Sequence, residues 1–260
     1  MSDITISIVT AVLDSPEVVR RQVLWYRQMP LPEDVEWIVV DDKSLPPLRQ
    51  EDYDLPRFRI LRYDRPVAWS QPAARNLGCR AATGKWLLCT DIDHIVPLSL
   101  INFIRDCPHH FIKFKREVAV LTEEGTFDQS EEAVLRYGFL PEKLAQGGFH
   151  ISPHTNSFGI HRDLYLRLGG VSEQHVGSGR HPNREELPLR RRVRRAAEAG
   201  EITMLTEDTD GEDQRPLIYM IPNGRYCGDD NYNPFGLFHN LKRRSTVVWR
   251  EDRAHVTSGL

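Results

Sequence analysis

Four short apolar runs alternate with helix-like segments over the first 95 residues, and this alternation restricts the fold more than any other feature of the sequence. The runs, rich in β-branched and aromatic residues, cover residues 4–10, 35–40, 58–61 and 86–89. Helices are predicted at 14–26 and 71–82, where Pro30 ends the first and Gly84 closes the second. This order predicts an α/β fold whose mostly parallel, doubly wound sheet is flanked by helices.

Acidic residues follow the last of these runs, at Asp91 and Asp93. The carboxyl ends of parallel strands are where α/β sheets bind ligands. Alternate residues of an extended segment face the same way, so both carboxylates would point together, and a cation between them would relieve their repulsion. Carboxylate oxygens suit Mg²⁺ or Mn²⁺, which also bind phosphate oxygens. The pair therefore predicts a metal site, whereas a surface turn is the alternative.

Two other segments carry polar groups towards the same edge. Asp41 and Asp42 end the second run, where they would accept hydrogen bonds from a base N–H or a ribose hydroxyl, or else cap a turn. Arg75 lies in the helix that precedes the last run. It would brace the acidic cluster or a phosphate, or lie on a solvated helix face.

Composition restricts the class of protein. A formal net charge of −3 gives no overall attraction to nucleic acid or to a membrane surface. The four cysteines form no CxxC pair, which argues against a zinc site or a disulfide framework. We expect a single domain over residues 1–260, no integral membrane segment, and a cytoplasmic location, since no leader-like apolar stretch follows Met1.

Four segments resemble, in order and spacing, the motifs of family-2-type GT-A glycosyltransferases. They are Thr10-Ala11, Asp41-Asp42-Lys43-Ser44, Ala74-Arg75-Asn76-Leu77-Gly78 and Asp91-Ile92-Asp93. The resemblance implies a GT-A fold, in which residues 1–95 bind a nucleotide-diphosphate sugar, residues 96–240 bind the acceptor, and residues 241–260 form a tail. It also implies a set of nucleotide-binding residues: Thr10, Ala11, Asp14, Asp41, Asp42, Arg75, Asp91 and Ile92.

The same resemblance implies a reaction. An inverting transfer of a hexose or N-acetylhexosamine, from a donor that is most often UDP-linked, would use Mn²⁺ or Mg²⁺ held by Asp91, Asp93 and His239. A later segment, with Gly177 and then Glu185-Glu186, is similar to a galactosyltransferase-like Trp-Gly-x-Glu-Asp motif that lacks its Trp. The catalytic base of that motif corresponds to Glu186, with Glu185 as the alternative. An inverting transfer needs such a carboxylate to take the proton of the acceptor hydroxyl.

Two other classes of function remain open on the sequence. A nucleotidyltransferase would also use acids and a metal on an α/β sheet, but residues 10–14 lack the glycine-rich loop that holds a triphosphate. A non-catalytic module that binds nucleotide sugars is the other class. The acceptor is a glycan, a lipid-linked sugar or modified DNA. A run of arginines is either a solvated helix face or the binding site of an anionic acceptor; its members are Arg190, Arg191, Arg192, Arg194 and Arg195.

Overall fold

The computed structural model describes residues 3–65, 70–137, 139, 141–151, 155–174, 176, 186–206 and 214–221. In these ranges the helices and strands, in chain order, are β1 (Ile6–Val12), α1 (Pro16–Gln28), β2 (Val35–Asp42), β3 (Phe58–Tyr63), α2 (Gln71–Ala81), β4 (Trp86–Asp91), β5 (His94–Ile95), α3 (Leu98–Arg105), β6 (Phe111–Lys113), β7 (Lys115–Val118), β8 (Val120–Leu121), β9 (Phe127–Asp128), α4 (Glu131–Arg136), α5 (Pro141–Gly147), β10 (His150–Ile151), β11 (Phe158–His161), α6 (Arg162–Arg167), α7 (Leu187–Glu198), β12 (Met204–Leu205) and β13 (Leu217–Met220). A short 3-10 helix, Gln50–Asp52, lies between β2 and β3.

A seven-stranded sheet in the order β12–β6–β11–β4–β1–β2–β3 forms the centre of the fold. Neighbouring strands run parallel, except that β11 is antiparallel to both β4 and β6. β1 and β2 are buried along their whole length. Strands covered on both faces need apolar residues at every position, which explains why these two appear in the sequence as continuous apolar runs. The predicted mostly parallel α/β sheet is confirmed.

Helices cover the two faces of this sheet with separate apolar cores. On one face, Tyr26 of α1 packs against Trp37 of β2, with the ring centroids 5.3 Å apart. On the other face, Cys79 of α2 lies in a cluster with Val9 and Val40. The two layers fix α1 and α2 on either side of the carboxyl ends of β1, β2 and β4.

Gly78 allows α2 to lie unusually close to the sheet. A Cβ at this position would meet Val9 Cγ1 at 2.6 Å and Val40 Cγ2 at 2.8 Å, and both of these side chains are fully buried. Gly78→Ala should therefore lower the free energy of unfolding by about 1–3 kcal/mol through overpacking, although alanine favours a helix. Chemical denaturation measures this. Gly159→Ala is the matched control, because its nearest contact would be an ordinary 3.4 Å; an equal loss in both variants would contradict the packing argument.

A second, four-stranded sheet in the order β10–β7–β13–β5 lies beside the first. The sequence predicted one strand over residues 111–121, which is wrong. The chain leaves the first sheet after β6, pairs in the second as β7, and then forms β8, which pairs only with β9 in the described structure. β13 pairs with β5, so a segment distant in sequence runs beside the residues that follow Asp93.

Two helices differ from their predicted bounds. A helix predicted over residues 130–145 is split into α4 and α5, because Pro141 lacks the N–H needed to continue a helix and instead begins a new one. A helix predicted over 185–199 begins at Leu187, with a proline in its first turn, so Glu186 precedes the helix. Among the described helices, none has the length and apolar character needed to span a membrane.

Candidate functional site

β4 ends at Asp91, and the next two residues form a tight turn before β5. The expected extended conformation of this segment is therefore wrong. Gln22 of α1 holds the turn from one side, donating to the carbonyl oxygens of Ile92 at 2.5 Å and His94 at 3.2 Å. From the other side, the Ile221 N–H donates to the Asp93 carbonyl at 2.7 Å. These bonds use the backbone, so they position the turn without engaging the Asp93 carboxylate.

The turn brings Asp91, Asp93 and His94 together. One ligand atom from each of these residues lies within 4.8 Å of the other two. Both carboxylates are 17% exposed, whereas the His94 side chain is fully buried, with its Nδ1 2.8 Å from Asp93 Oδ1. Ligands on opposite sides of a Mg²⁺ or Mn²⁺ ion lie roughly 4.2 Å apart, so donor atoms grouped this closely fit the coordination sphere of one divalent cation. His94 was not predicted as a ligand; its place directly after the acidic pair was the signal.

Arg75 lies behind Asp91. Its side chain is fully buried, and its Nη2 donates to Asp91 Oδ1 at 2.6 Å, while Gln71 Nε2 donates to the same oxygen at 3.1 Å. A buried guanidinium on one oxygen fixes the carboxylate and offsets part of the negative charge of the acidic pair. Of the two roles considered for Arg75, the geometry supports bracing of the acidic cluster, and a solvated helix face is excluded.

Asp41 holds the loop that follows β2. Its Oδ1 accepts from the Ser44 N–H at 2.8 Å, and its Oδ2 accepts from the Leu48 N–H at 3.1 Å and from Arg62 Nη1 at 2.6 Å. The carboxylate is completely buried. Because both oxygens are engaged within the protein, Asp41 shapes the loop, and its predicted contact with a nucleotide stays a prediction.

Asp42 is the last residue of β2 and is also buried, with 4% of its surface exposed. Its Oδ1 accepts from Ser70 Oγ at 2.6 Å and from Lys43 Nζ at 2.9 Å, and Lys43 also donates to Ser70. Lys43 itself has a φ of 61°, a left-handed conformation that turns the chain sharply after β2. This network joins the loop after β2 to the residue before α2.

The residues predicted at the end of β1 have different surroundings. Thr10 lies inside the core, where its Oγ1 is 3.1 Å from the donor Trp37 Nε1 and 3.0 Å from Thr90 Oγ1. Asp14, with a φ of 48°, accepts from the Leu45 N–H at 2.8 Å and so joins the loops after β1 and β2. The Thr10 side chain is thus used in packing. Ala11 and Ile92 are also buried, and contacts of all four with a nucleotide stay predictions.

Asn76 connects α2 to the turn that follows α6. Its Nδ2 donates to the Val171 carbonyl at 2.9 Å and to Glu173 Oε1 at 2.7 Å, and its Oδ1 accepts from the Tyr165 hydroxyl at 2.6 Å. Burial raises the pKa of Tyr165 far above its usual range, so this hydroxyl remains a donor. Gly170 has a φ of 66°, and a Cβ there would lie 2.4 Å from Asn76 Oδ1. Asn76 therefore fixes the turn and was not identified as a site residue by the sequence.

Glu186 is buried at the start of α7, with 1% of its surface exposed. Its Oε1 is buried and makes no hydrogen bond to any of the described residues.

The strand order also indicates at which edge of the sheet α7 begins. β12 runs parallel to β6, and β6 runs parallel to β4 because β11 is antiparallel to both. A helix joined to β12 by the short segment 199–203 begins at the edge where Asp91 lies. Of the other predicted residues, Glu185 and His239 lie outside the described residues.

Comparison with known proteins gave one family and several solved structures. Residues 7–162 match the family described as Glycosyl transferase family 2. No curated protein sequence matched the chain. The structure of S. aureus TarS 1–349 in complex with UDP-GlcNAc is 11% identical with a TM-score of 0.48, over 90% of this chain and 63% of that one. The structure of S. aureus TarS is 13% identical with a TM-score of 0.48, over 85% of this chain and 37% of that one.

A third structure, of a mycobacterial protein, is 17% identical with a TM-score of 0.39, over 84% of this chain and 65% of that one. The chain thus spans less than two thirds of the length of each of these structures.

Proposed function

Because the chain belongs to glycosyl transferase family 2, we propose that it transfers a hexose or N-acetylhexosamine from a nucleotide-diphosphate sugar to an acceptor hydroxyl, with inversion at the anomeric carbon. The observation that carries this proposal is the cluster of Asp91, Asp93 and His94 at the carboxyl end of β4. A UDP-linked donor is the choice that the family resemblance implies. We assign residues 1–95 to the donor and residues 96–240 to the acceptor, within a single domain; a cytoplasmic location stays a prediction.

Asp91, Asp93 and His94 would hold Mn²⁺ or Mg²⁺ on the diphosphate of the donor. When bound, the cation would supply positive charge that neutralises the leaving nucleoside diphosphate. The protein contributes a rigid site, because Gln22 anchors the turn and Arg75 fixes the Asp91 carboxylate. A donor set that needs little reorganisation stabilises the transition state at little cost. His94 takes the place in this set that the sequence assigned to His239, whose role as a further ligand stays a proposal.

Asp42 is the residue we assign to the nucleoside. It directly precedes the loop that Asp41 shapes, and it is joined through Ser70 to the start of α2. A carboxylate here would accept a hydrogen bond from the base or from a ribose hydroxyl, and the neighbouring Lys43 would offer a donor. Asp14 joins the loops after β1 and β2, so it would fix the shape of this part of the pocket.

Glu186 would act as the catalytic base. In a single displacement, its carboxylate takes the proton of the acceptor hydroxyl as that oxygen attacks the anomeric carbon and the bond to the diphosphate breaks. Two features support this role: the carboxylate is buried, and its Oε1 has no partner among the described residues. It directly precedes the first turn of α7, which fixes the position of its backbone. Glu185 remains the alternative.

A thermal-shift experiment tests the proposal. With Mn²⁺ present, a UDP-sugar at about 100 times its Kd should stabilise the protein by about 2.7 kcal/mol, which corresponds to roughly 5–10 °C in Tm for a chain of this size. UMP with Mn²⁺, and the UDP-sugar with EDTA, are the controls, because neither provides a diphosphate bridged by a cation. If no nucleoside diphosphate or its sugar shifts the Tm in a metal-dependent manner, the proposed function is wrong.

A further inference from the structure

One side of α7 carries a cluster of outward-facing arginines. Leu189, Val193 and Ala196 form the buried side of this helix and pack in the core next to α6 and β11. Four arginines, which we call the arginine face, lie away from this buried side: Arg191, Arg194 and Arg195 are exposed, and Arg190 is half-buried. They form two pairs at i, i+4, so the Cβ atoms of each pair lie about 5–6 Å apart.

The charge of the arginine face is not balanced within the described part of the chain. None of its four guanidinium groups makes an ion pair there, although Glu198 follows Arg194 by one helical turn. Other surface arginines do pair with carboxylates: Arg20 with Glu17 at 2.7 Å, and Arg167 with Glu201 at 2.8 Å. Like charges at i, i+4 destabilise a helix, so this arrangement costs stability unless an anion binds to it.

The arginine face also has a defined position relative to the proposed reaction. α7 begins immediately after Glu186, and the Arg190 N–H donates to the Glu186 carbonyl at 2.9 Å. With a rise of 1.5 Å per residue, the face extends from about 6 Å to about 14 Å along the helix from Glu186. A molecule bound along these arginines would therefore extend to the carboxylate that we assign as the base.

We propose that the acceptor carries phosphate groups and that the arginine face binds them, so that a hydroxyl of the same molecule is presented to Glu186. This inference rests on the proposed function, because it names the acceptor class of that site. One guanidinium group can donate two parallel hydrogen bonds to the oxygens of a phosphate. The two i, i+4 pairs of arginines therefore suit an acceptor that carries successive phosphate groups.

The composition of α7 favours such an acceptor over other polyanions. The helix has no aromatic residue, whereas stacking on aromatic rings is how single-stranded nucleic acids are commonly bound. Its apolar side is buried in the core, so it has no free apolar face to insert into a bilayer. Its exposed side carries the four arginines, with a single acid, Glu198, at the far end.

Calorimetry tests this inference: the binding of short-chain inorganic polyphosphate to the full chain is measured at two salt concentrations. R191Q/R195Q should weaken binding at least about tenfold, since each change removes a charge-assisted contact. R191K/R195K should retain most of the affinity, because the charge remains. R20Q/R136Q is the matched control: these arginines are exposed and already paired with Glu17 and Glu132, and their loss should leave binding unchanged.

Three results would overturn the inference. They are equal binding by R191Q/R195Q and the wild type, equal weakening by the control pair, and preferred binding to phosphatidylglycerol vesicles or to a single-stranded oligonucleotide over polyphosphate. The UDP-sugar shift with Mn²⁺ is measured in the same variants and should be unchanged. If the wild type lacks that shift, the proposed function fails; if the shift persists while polyphosphate binding ignores the arginines, only the acceptor inference fails.

Discussion

Replacing Asp93 by alanine should abolish the metal-dependent stabilisation by a UDP-sugar, with an apparent loss of metal affinity of at least ~100-fold. Changes to groups that merely support metal ligands cost 10–100-fold, and the loss of a ligating carboxylate costs more. The fold should remain intact, because the turn is held through the carbonyls of Ile92, Asp93 and His94 and not through the Asp93 side chain. The measurement is Tm with the UDP-sugar, titrated with Mn²⁺.

Asp34→Ala is the matched control for this change. Its carboxylate is 24% exposed, close to the 17% of Asp93, and it pairs with Arg105, but it directly precedes β2 and lies at the opposite edge of the sheet. That variant should keep the full metal-dependent shift. An unchanged shift in Asp93→Ala would show that the cation binds elsewhere, and the donor set of Asp91, Asp93 and His94 would have to be abandoned.

The sequence predicted the fold of residues 1–95 well for a physical reason. β1, β2 and β4 are buried on both faces, so each appears as a continuous apolar run that ends where the chain reaches the edge of the sheet. The ends of these strands share a register, with Val12 opposite Asp41 and Ala11 opposite Asp91. Acids that lie 50 residues apart in the chain are therefore neighbours in space, as the parallel order predicts.

The roles of individual acids could not be predicted in the same way. Asp41 and Asp42 are adjacent and identical in type, but Asp41 is enclosed by the Ser44 and Leu48 amides, whereas Asp42 contacts Lys43 and Ser70. Which of the two faces a ligand depends on the path of the loop after β2. That path is set by tertiary contacts and carries no periodic signal.

The fold of the second half of the chain is harder to predict from the sequence, because its strands are short and pair with strands that are distant in the sequence. β13 pairs with β7, about 100 residues earlier, and with β5 beside the acidic turn. A strand of four residues offers too little alternation to identify its partner. The contacts of Asn76 with Val171 and Glu173 are of the same kind, since they depend on the position of the turn after α6.

Glu186→Gln should lower the rate of glycosyl transfer by about 10²–10⁴-fold while leaving UDP-sugar binding with Mn²⁺ unchanged, because it removes the proposed base and no proposed contact with the donor. Glutamine has the same shape but no charge. Burying a carboxylate oxygen that accepts no hydrogen bond costs free energy, and Glu186 Oε1 accepts none from the described residues, so this substitution should leave the stability of the protein equal or higher. Lost turnover without lost stability separates a catalytic role from a structural one.

The readout for this variant is released UDP, measured first as slow hydrolysis of the donor and then as transfer to an acceptor. Glu198→Gln is the control on the same helix, because that residue is exposed at the far end of α7 and should not affect the rate. Glu185→Gln is measured in parallel. If Glu186→Gln retains full activity and Glu185→Gln loses it, the base is Glu185; if both retain it, the proton is taken by another group and the carboxylate before α7 serves only the fold.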